Sequence, residues 1–177
     1  MRSWCGALLT VALLGTGAAC GGGDGDGDDD AGTVPAVELV DPAVAAVESQ
    51  RGGAQDYFEI NVTGSTVNLF VATDGATTAT AYSYLGGELL PADAAQPASG
   101  ATFRADALTF DADTVLDGVM EELDDPVIAR FVIVGGPGGA VQYAATVTSA
   151  QGGQLDVLLA PDGTIQGVDL AADLAEE

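Results

Sequence analysis

The chain contains no lysine and no histidine, and its four arginines stand against 27 acidic residues. Its formal net charge is −23 at pH 7. A surface of this sign repels the phosphates of nucleic acids and the headgroups of anionic lipids. We therefore expect no nucleic-acid partner, whereas cationic partners and divalent cations are attracted.

The missing side chains also limit the chemistry that the chain can perform. Without histidine there is no Ser-His-Asp triad, no Cys-His pair and no ordinary histidine-based zinc site. Without lysine there is no Schiff-base nucleophile. What remains is carboxylate chemistry, as in a glycosidase pair or an aspartic dyad. The candidate pairs are Asp111 with Asp113, Glu121 with Glu122, and Asp124 with Asp125.

Each carboxylate pair also has a structural explanation. The first pair can cap a helix, the second suits an exposed helix face, and the third ends that helix before Pro126. We therefore predict a protein that is not an enzyme, with no catalytic residue, no metal site and no cofactor. A carboxylate-based hydrolase remains as an alternative.

Aromatic residues and long apolar runs are scarce. The single tryptophan, Trp4, lies near the N-terminus, so the core must use small aliphatic residues and five phenylalanines, which are Phe58, Phe70, Phe103, Phe110 and Phe131. The apolar run from Cys5 to Ala19 would rise only about 22 Å as a helix, against a hydrocarbon core of ~30 Å. Behind a short start that carries one positive charge, Arg2, this run is typical of an export signal.

Cysteine occurs only at Cys5 and Cys20, and the second follows small residues in the run Gly17-Ala18-Ala19. This box and the polar tract after it resemble the signal of bacterial lipoproteins, in which the cysteine thiol receives a diacylglyceryl group before cleavage. The resemblance implies a signal peptide over residues 1–19, lipidation of Cys20, and attachment to the extracytoplasmic face of the cell membrane.

One position departs from the lipoprotein pattern. The family usually has an aliphatic residue three positions before the cysteine, where this chain has Gly17. The alternative is ordinary secretion, with cleavage near Ala18 or Ala19 and Cys20 left as a free thiol.

Residues 20–35 comprise the lipidated cysteine and a tether rich in glycine and aspartate. Such a composition cannot bury enough apolar surface to offset the entropy of ordering. Asp24, Asp26 and Asp28 alternate as in an EF-hand calcium loop, but the sixth and twelfth positions hold Asp29 and Pro35 instead of glycine and glutamate. We therefore interpret this stretch as a solvated tether.

Residues 36–177 predict a single globular α+β domain. One helix should begin near Asp41 and end at Arg51-Gly52, and the strongest helix of the chain should be capped by Asp113 and stopped by Pro126. Alternating apolar residues predict strands at Tyr57–Thr63, Thr66–Thr73, Thr77–Leu85, Glu88–Leu90, Thr102–Phe110, Val127–Val134, Val141–Ser149, Leu155–Ala160 and Ile165–Leu170.

Short turns connect these strands: Asp74-Gly75 predicts a two-residue hairpin turn, and Gly86-Gly87 predicts another tight turn. Such short connections predict antiparallel pairing. The fold is therefore one or more antiparallel sheets packed by two helices. Residues 36–92 and 101–172 both show the pattern of a helix followed by a meander, and the alternative is therefore a domain built from two such repeats, or halves.

This order is loosely similar to tandem modules of the PepSY-like and beta-lactamase-inhibitor-like kind, found among exported bacterial proteins. The resemblance implies a protein-binding or inhibitory role. The leading hypothesis is a non-enzymatic lipoprotein that binds a protein or another envelope component. The alternatives are a carrier of lipid or other apolar ligands, and a structural role in the envelope.

Three further features have structural and functional interpretations. Arg104 and Arg130 alternate with apolar residues in predicted strands, and each should pair with a carboxylate across the sheet, the alternative being an anion site. Gly135–Gly139 lacks the Gly-Lys-Ser/Thr ending of a phosphate loop and predicts a hairpin loop. Asn61-Val62-Thr63 matches a glycosylation sequon, but it lies within a strand pattern and is interpreted as structural.

Replacing Cys20 with serine tests the predicted anchor. We expect Cys20→Ser to lose the acyl mass and to leave the membrane fraction of the native host, because a hydroxyl cannot form the thioether. Intact mass spectrometry and fractionation measure both effects. Cys5→Ser, within the predicted signal, should keep the lipid, and membrane retention of Cys20→Ser would contradict the prediction.

Overall fold

The computed structural model describes residues 34–123, 125–148 and 153–169. The predicted signal, the predicted lipidation residue Cys20, Asp124 and the end of the chain lie outside the described residues. The rest forms one antiparallel sheet of ten strands, with helical segments packed on one face. The α+β class predicted from the sequence is confirmed.

The first half follows the prediction closely. After a 3-10 turn at Val37–Leu39 come helix α1 and four strands. Their bounds are α1 Val40–Arg51, β1 Asp56–Thr63, β2 Thr66–Thr73, β3 Thr78–Leu85 and β4 Glu88–Leu89. Gly52 ends the helix in the left-handed conformation, at φ 81°, a geometry that glycine adopts without steric cost.

Two local predictions in this half are wrong. The residue that precedes α1 is Leu39, and no side chain caps the helix, so Asp41 lies in its first turn. A side-chain cap is not needed, because the amides of Leu39 and Val40 already donate to carbonyls of the preceding 3-10 turn. The turn at Asp74-Gly75 is longer than two residues, since the flanking paired residues are Thr73 and Thr78.

The predicted strand Thr102–Phe110 is also wrong beyond its start. Two short strands lie here, β5 Gln96–Pro97 on β3 and β6 Phe103–Arg104 on β1, and a 3-10 turn follows at Ala105–Ala107. The chain leaves the sheet because Phe110 packs on rings beneath it, with centroids 5.5 Å from Phe131 and 5.6 Å from Tyr143.

The second helix is much shorter than predicted. Helix α2 spans only Asp117–Glu122, after a series of turns. The turns before α2 are stabilised by Asp111, and not by Asp113 as predicted. The Asp111 carboxylate accepts a hydrogen bond from the Asp113 amide at 3.0 Å, and the Asp111 carbonyl accepts one from the Val115 amide at 2.8 Å. Pro126 disfavours helical geometry in the residue before it and helps to end the helix.

The predicted apolar stripe of this helix is buried only in part. Val115, Leu116 and Val119 are buried, whereas Met120 is 45% exposed. The four strands that follow agree with the prediction to within one residue at each end. They are β7 Val127–Gly135, β8 Val141–Thr148, β9 Gln154–Leu159 and β10 Ile165–Asp169.

The strand order is β10-β9-β8-β7-β1-β2-β3-β4, so the two meanders meet at β1 and β7. Each of these strands has a bulge after its second residue, between Tyr57 and Glu59 in β1 and between Ile128 and Arg130 in β7. When β1 and β7 are aligned with each other at their bulges, Asn61 of β1 corresponds to Val132 of β7. The same two residues also face each other across the β1–β7 pair. An approximate two-fold axis therefore passes through this pair and relates the two halves.

The core lies between this sheet and the helices. At its centre β1 and β7 contribute Ile60, Val62, Phe131 and Ile133, all fully buried, and α1 adds Val40, Ala43, Val44 and Val47. Phe103 is buried as well, while Phe58, Phe70 and Phe110 are only half-buried. No helix within the described ranges is long and apolar enough to span a membrane.

Two glycines make the closest contact between α2 and the sheet. A side chain at Gly118 would overlap the carbonyl oxygen of Gly163, in the β9–β10 turn. Gly→Ala in a helix normally stabilises by about 1 kcal/mol, but here we expect Gly118→Ala to lower the free energy of unfolding by about 1–3 kcal/mol, through overpacking. Urea unfolding measures the change.

The matched control is Gly167→Ala, where an added Cβ meets no atom within 4 Å. Its unfolding free energy should stay near that of the parent. A stabilised Gly118→Ala variant would contradict the close packing.

Candidate functional site

No described helix packs on the side of the sheet opposite α1 and α2, and we call this side the open face. Its middle row is defined by the pairing register across six neighbouring strands, β3-β2-β1-β7-β8-β9. The residues of this row are, in order, Ser83, Asn68, Asn61, Val132, Ala144 and Leu158. This row passes through the approximate two-fold axis, so its two ends come from the two halves.

The first half of the row is polar and fully hydrogen-bonded. The Ser83 hydroxyl donates to the Asn68 Oδ1 at 2.8 Å, and the Asn68 amide donates to the Asn61 Oδ1 at 3.1 Å. The Asn61 amide then donates to the Glu59 carboxylate at 2.7 Å. These bonds fix the amide orientations across three strands and satisfy Asn61, which is only 7% exposed.

The second half of the row is apolar. Val132 and Ala144 are half-buried and Leu158 is 41% exposed. Matching the two halves by their pairing registers places Ala144 at the position of Asn68 and Leu158 at the position of Ser83. The open face therefore joins a polar surface to an apolar one at the two-fold axis.

Arg130 lies on the open face without its predicted carboxylate partner. No carboxylate among the described residues is within ion-pair distance of its guanidinium. Thr146, which faces Arg130 across the pair, separates it from Asp156, and the Thr146 hydroxyl itself donates to the Asp156 carboxylate at 2.7 Å. The prediction of a cross-sheet ion pair is wrong here.

Arg104 does pair with a carboxylate, but not across the sheet. Its Nε lies 3.8 Å from the Asp106 Oδ1, two residues further along the chain, and both side chains are at least half exposed. The 3-10 turn at Ala105–Ala107 brings the two side chains together. Such an exposed pair contributes little to stability.

The described members of the candidate carboxylate pairs are all exposed. Asp111 and Asp113 are exposed in the turn before α2, and Glu121 and Glu122 are exposed on α2 itself. Asp125 is exposed, and Asp124 lies outside the described residues. The described part of the chain also holds no group of three or more side chains placed to bind a metal ion.

A second polar cluster lies under the C-terminal end of α1. The Arg51 guanidinium donates to the Gln55 side chain at 2.7 Å and to the Tyr82 hydroxyl at 3.2 Å. The Tyr57 hydroxyl is buried without a hydrogen-bond partner. Burial raises the pKa of this phenol well above its ordinary value, the nearby Glu48 carboxylate raises it further, and Arg51 partly opposes the shift.

A shallow cavity lies where the start of α1 meets the segment after β6. It has a volume of about 140 Å³, with Glu38 and Asp41 at its rim and Leu108 and Phe110 in its lining. Small-molecule sites typically measure about 300–1,000 Å³. The cavity is therefore too small to enclose a lipid chain.

Two sequence motifs are accounted for by the fold. Asn61 of the sequon belongs to the hydrogen-bonded row, which agrees with its structural interpretation. Gly135–Gly139 lies in the β7–β8 connection, where the Gly136 amide donates to the Ala140 carbonyl at 2.7 Å. The predicted hairpin loop is confirmed. Gly135 packs closely against the backbone of Ala101, where no Cβ would fit.

Comparisons with protein-family models, with curated proteins and with solved structures found no match to this chain. The similarity to PepSY-like and beta-lactamase-inhibitor-like modules therefore stays a prediction.

The sequence did not predict the row of Ser83, Asn68 and Asn61. The sequence does contain a sign of this row, because the three polar residues occupy outward positions of adjacent predicted strands.

The unpartnered hydroxyl of Tyr57 predicts a specific pH dependence. The unfolded phenol ionises near pH 10, while the folded one stays protonated to higher pH. Above the pKa of the unfolded phenol, the folded state therefore holds one more proton than the unfolded state. The free energy of unfolding then falls as the pH rises, by up to about 1.4 kcal/mol per pH unit. We expect Tyr57→Phe to remove this alkaline loss and to match or exceed the parent at pH 7, because no hydrogen bond is broken.

Urea unfolding from pH 7 to pH 11 measures both effects. Tyr82→Phe removes a hydroxyl that does accept a hydrogen bond, so this control should keep the alkaline loss. Identical pH profiles for Tyr57→Phe and the parent would refute the assignment.

Proposed function

We propose that this protein is an exported lipoprotein, anchored through Cys20, that presents a non-enzymatic interaction domain at the extracytoplasmic face of the cell membrane. The open face of the sheet is its binding surface, and the partner is a protein or another component of the cell envelope. The lipid and the tether at residues 20–35 hold the domain at the membrane while its charge keeps it away from anionic headgroups.

The observation that carries this proposal is the difference between the two halves of the open face. The inward-facing residues at matched positions are apolar in both halves, as with Val71 and Val147, whereas outward-facing Asn68 and Ser83 are matched by Ala144 and Leu158. An exposed surface that combines apolar side chains with fixed hydrogen-bonding groups has the composition of a protein-binding site.

The carrier hypothesis is less well supported. A carrier needs an apolar cavity, but the inner face of the sheet is filled by packed side chains, and the cavity near α1 is small and edged by Glu38 and Asp41. Ionised carboxylates at a rim disfavour the entry of an acyl chain. We therefore favour the binding surface over a lipid-carrying interior.

Site-specific photo-crosslinking in the native host tests the proposal. Phe70 lies on the open face and is half-buried, so p-benzoylphenylalanine replaces one aromatic ring with another there. We expect irradiation to yield a discrete cross-linked species from position 70, and none from the same residue at the exposed Ser49 on α1.

Equal cross-linking from both positions, or none from position 70, would argue against the open face as the binding surface. Turnover of peptides or glycans by the purified chain would contradict the non-enzymatic role. Co-purification of a stoichiometric lipid other than the anchor would favour the carrier.

A further inference from the structure

We propose that the free edge of β10 binds an extended, cationic segment of a partner protein as an additional strand of the sheet. This inference rests on the proposed function and specifies where on the domain a protein partner would attach. The inference is based on one arrangement: a strand edge that no described segment pairs with lies beside exposed apolar side chains. This arrangement belongs to the part of the chain that lacks any basic residue.

The two ends of the sheet differ in how their edges are protected. Beyond β3, residues 88–98 run along the strand and use its outward carbonyls. The amide of Leu90 donates to the Ser83 carbonyl at 2.8 Å, that of Asp93 to Ala81 at 3.0 Å and that of Ala98 to Thr77 at 3.0 Å. This segment contains Pro91 and Pro97, which lack amide hydrogens, so it is a poor template for a further strand.

No described segment covers the opposite edge in this way. β10 is the last strand in the sheet, and it pairs with β9 alone among the described segments. It contains neither proline nor lysine, the residues that commonly block edge pairing. A bulge between Ile165 and Gly167 shifts the register by one residue, yet β10 remains paired with β9 on both sides of the bulge.

Exposed apolar side chains lie on both faces of the sheet at this edge. Val168 is 53% exposed on the helix side, and Leu158 of the adjacent β9 is 41% exposed on the open face. An added strand alternates its side chains between the two faces, so it would contact both. Backbone hydrogen bonds to β10 would supply affinity, and these apolar contacts would supply specificity.

The charge around this edge selects a cationic partner. The acidic side chains described in this part of the chain are Asp156 on β9 and Asp162 in the turn before β10, and no basic residue follows Arg130 in the sequence. Asp162 lies beside β10 in the turn that precedes it, and its carboxylate accepts the Thr164 amide at 3.1 Å, which lowers the pKa of the carboxyl. Its negative charge is thus retained at neutral pH.

The same charges disfavour a second copy of this chain as the occupant. Pairing two β10 edges would bring two sets of carboxylates together with no basic residue nearby. Like charges across an interface weaken association. A strand that alternates apolar and basic residues would instead place its apolar side chains near Val168 or Leu158 and its charges near the carboxylates.

The test measures binding of the full mature chain to a labelled probe peptide by fluorescence anisotropy. The probe alternates valine and lysine and is long enough to span the five residues of β10. Two control peptides have the same length, one with glutamate in place of lysine and one with N-methylated alternate amides. We expect the first probe alone to bind, because only it combines positive charge with free backbone donors.

Matched protein variants locate the binding edge. Val168→Lys places a charge at the free edge, and Leu90→Lys makes the same change at an equally exposed residue, 42% accessible, on the covered edge. We expect Val168→Lys to weaken binding by about tenfold or more, a change of ~1.4 kcal/mol, and Leu90→Lys to leave it within about twofold. Urea midpoints near that of the parent verify that both variants fold.

Several outcomes would overturn the proposal. Equal weakening by both variants, or full binding of the N-methylated peptide, would assign the attraction to net charge alone. A parent dimer that Val168→Lys dissociates would make a second copy the occupant. If cross-links from position 70 persist in Val168→Lys, the partner binds the open face and does not need the β10 edge. If the parent gives no cross-links from position 70, the proposed function itself is contradicted.

Discussion

The antiparallel pairing of β1 with β7 is the contact on which the rest of the fold depends. It joins two meanders that are distant in sequence, and it places Ile60, Val62, Phe131 and Ile133 at the fully buried centre of one core. The second half is poorly equipped to bury its own sheet. Helix α2 has six residues, far below the ~12–15 at which an isolated helix becomes marginally stable in water. The half that contains α2 therefore relies on its neighbour for stability.

The same pairing explains how the two faces of the sheet came to differ in chemistry. On the inner face, matched positions must fill a shared core, and packing restricts them to apolar residues such as Ile60 and Phe131. On the open face no layer imposes such a restriction, so Asn68 and Ala144 can occupy equivalent positions. A scaffold that is nearly symmetric inside thus presents a surface that is asymmetric outside.

The sequence predicted the strands well, because period-two alternation and glycine turns are local signals. It was less reliable where tertiary contacts decide. Phe110 completes an alternating pattern, yet it leaves the sheet to pack on Phe131 and Tyr143. The apolar stripe after Asp113 has helical spacing, but the residues from Asp111 to Leu116 form turns, and α2 begins only at Asp117, without a side-chain cap. The hydrogen-bonded row on the open face required a pairing register, which no single strand contains.

The covering of β3 by residues 88–98 has a consequence for assembly. A sheet with two free edges can grow from both, and identical units joined edge to edge then form an open-ended fibre. Within residues 34–123, 125–148 and 153–169, one end is closed by irregular, proline-containing backbone, and the other offers unpaired groups. Head-to-tail propagation therefore has no second docking point, and strand addition terminates after a single step. That closure limits runaway polymerisation.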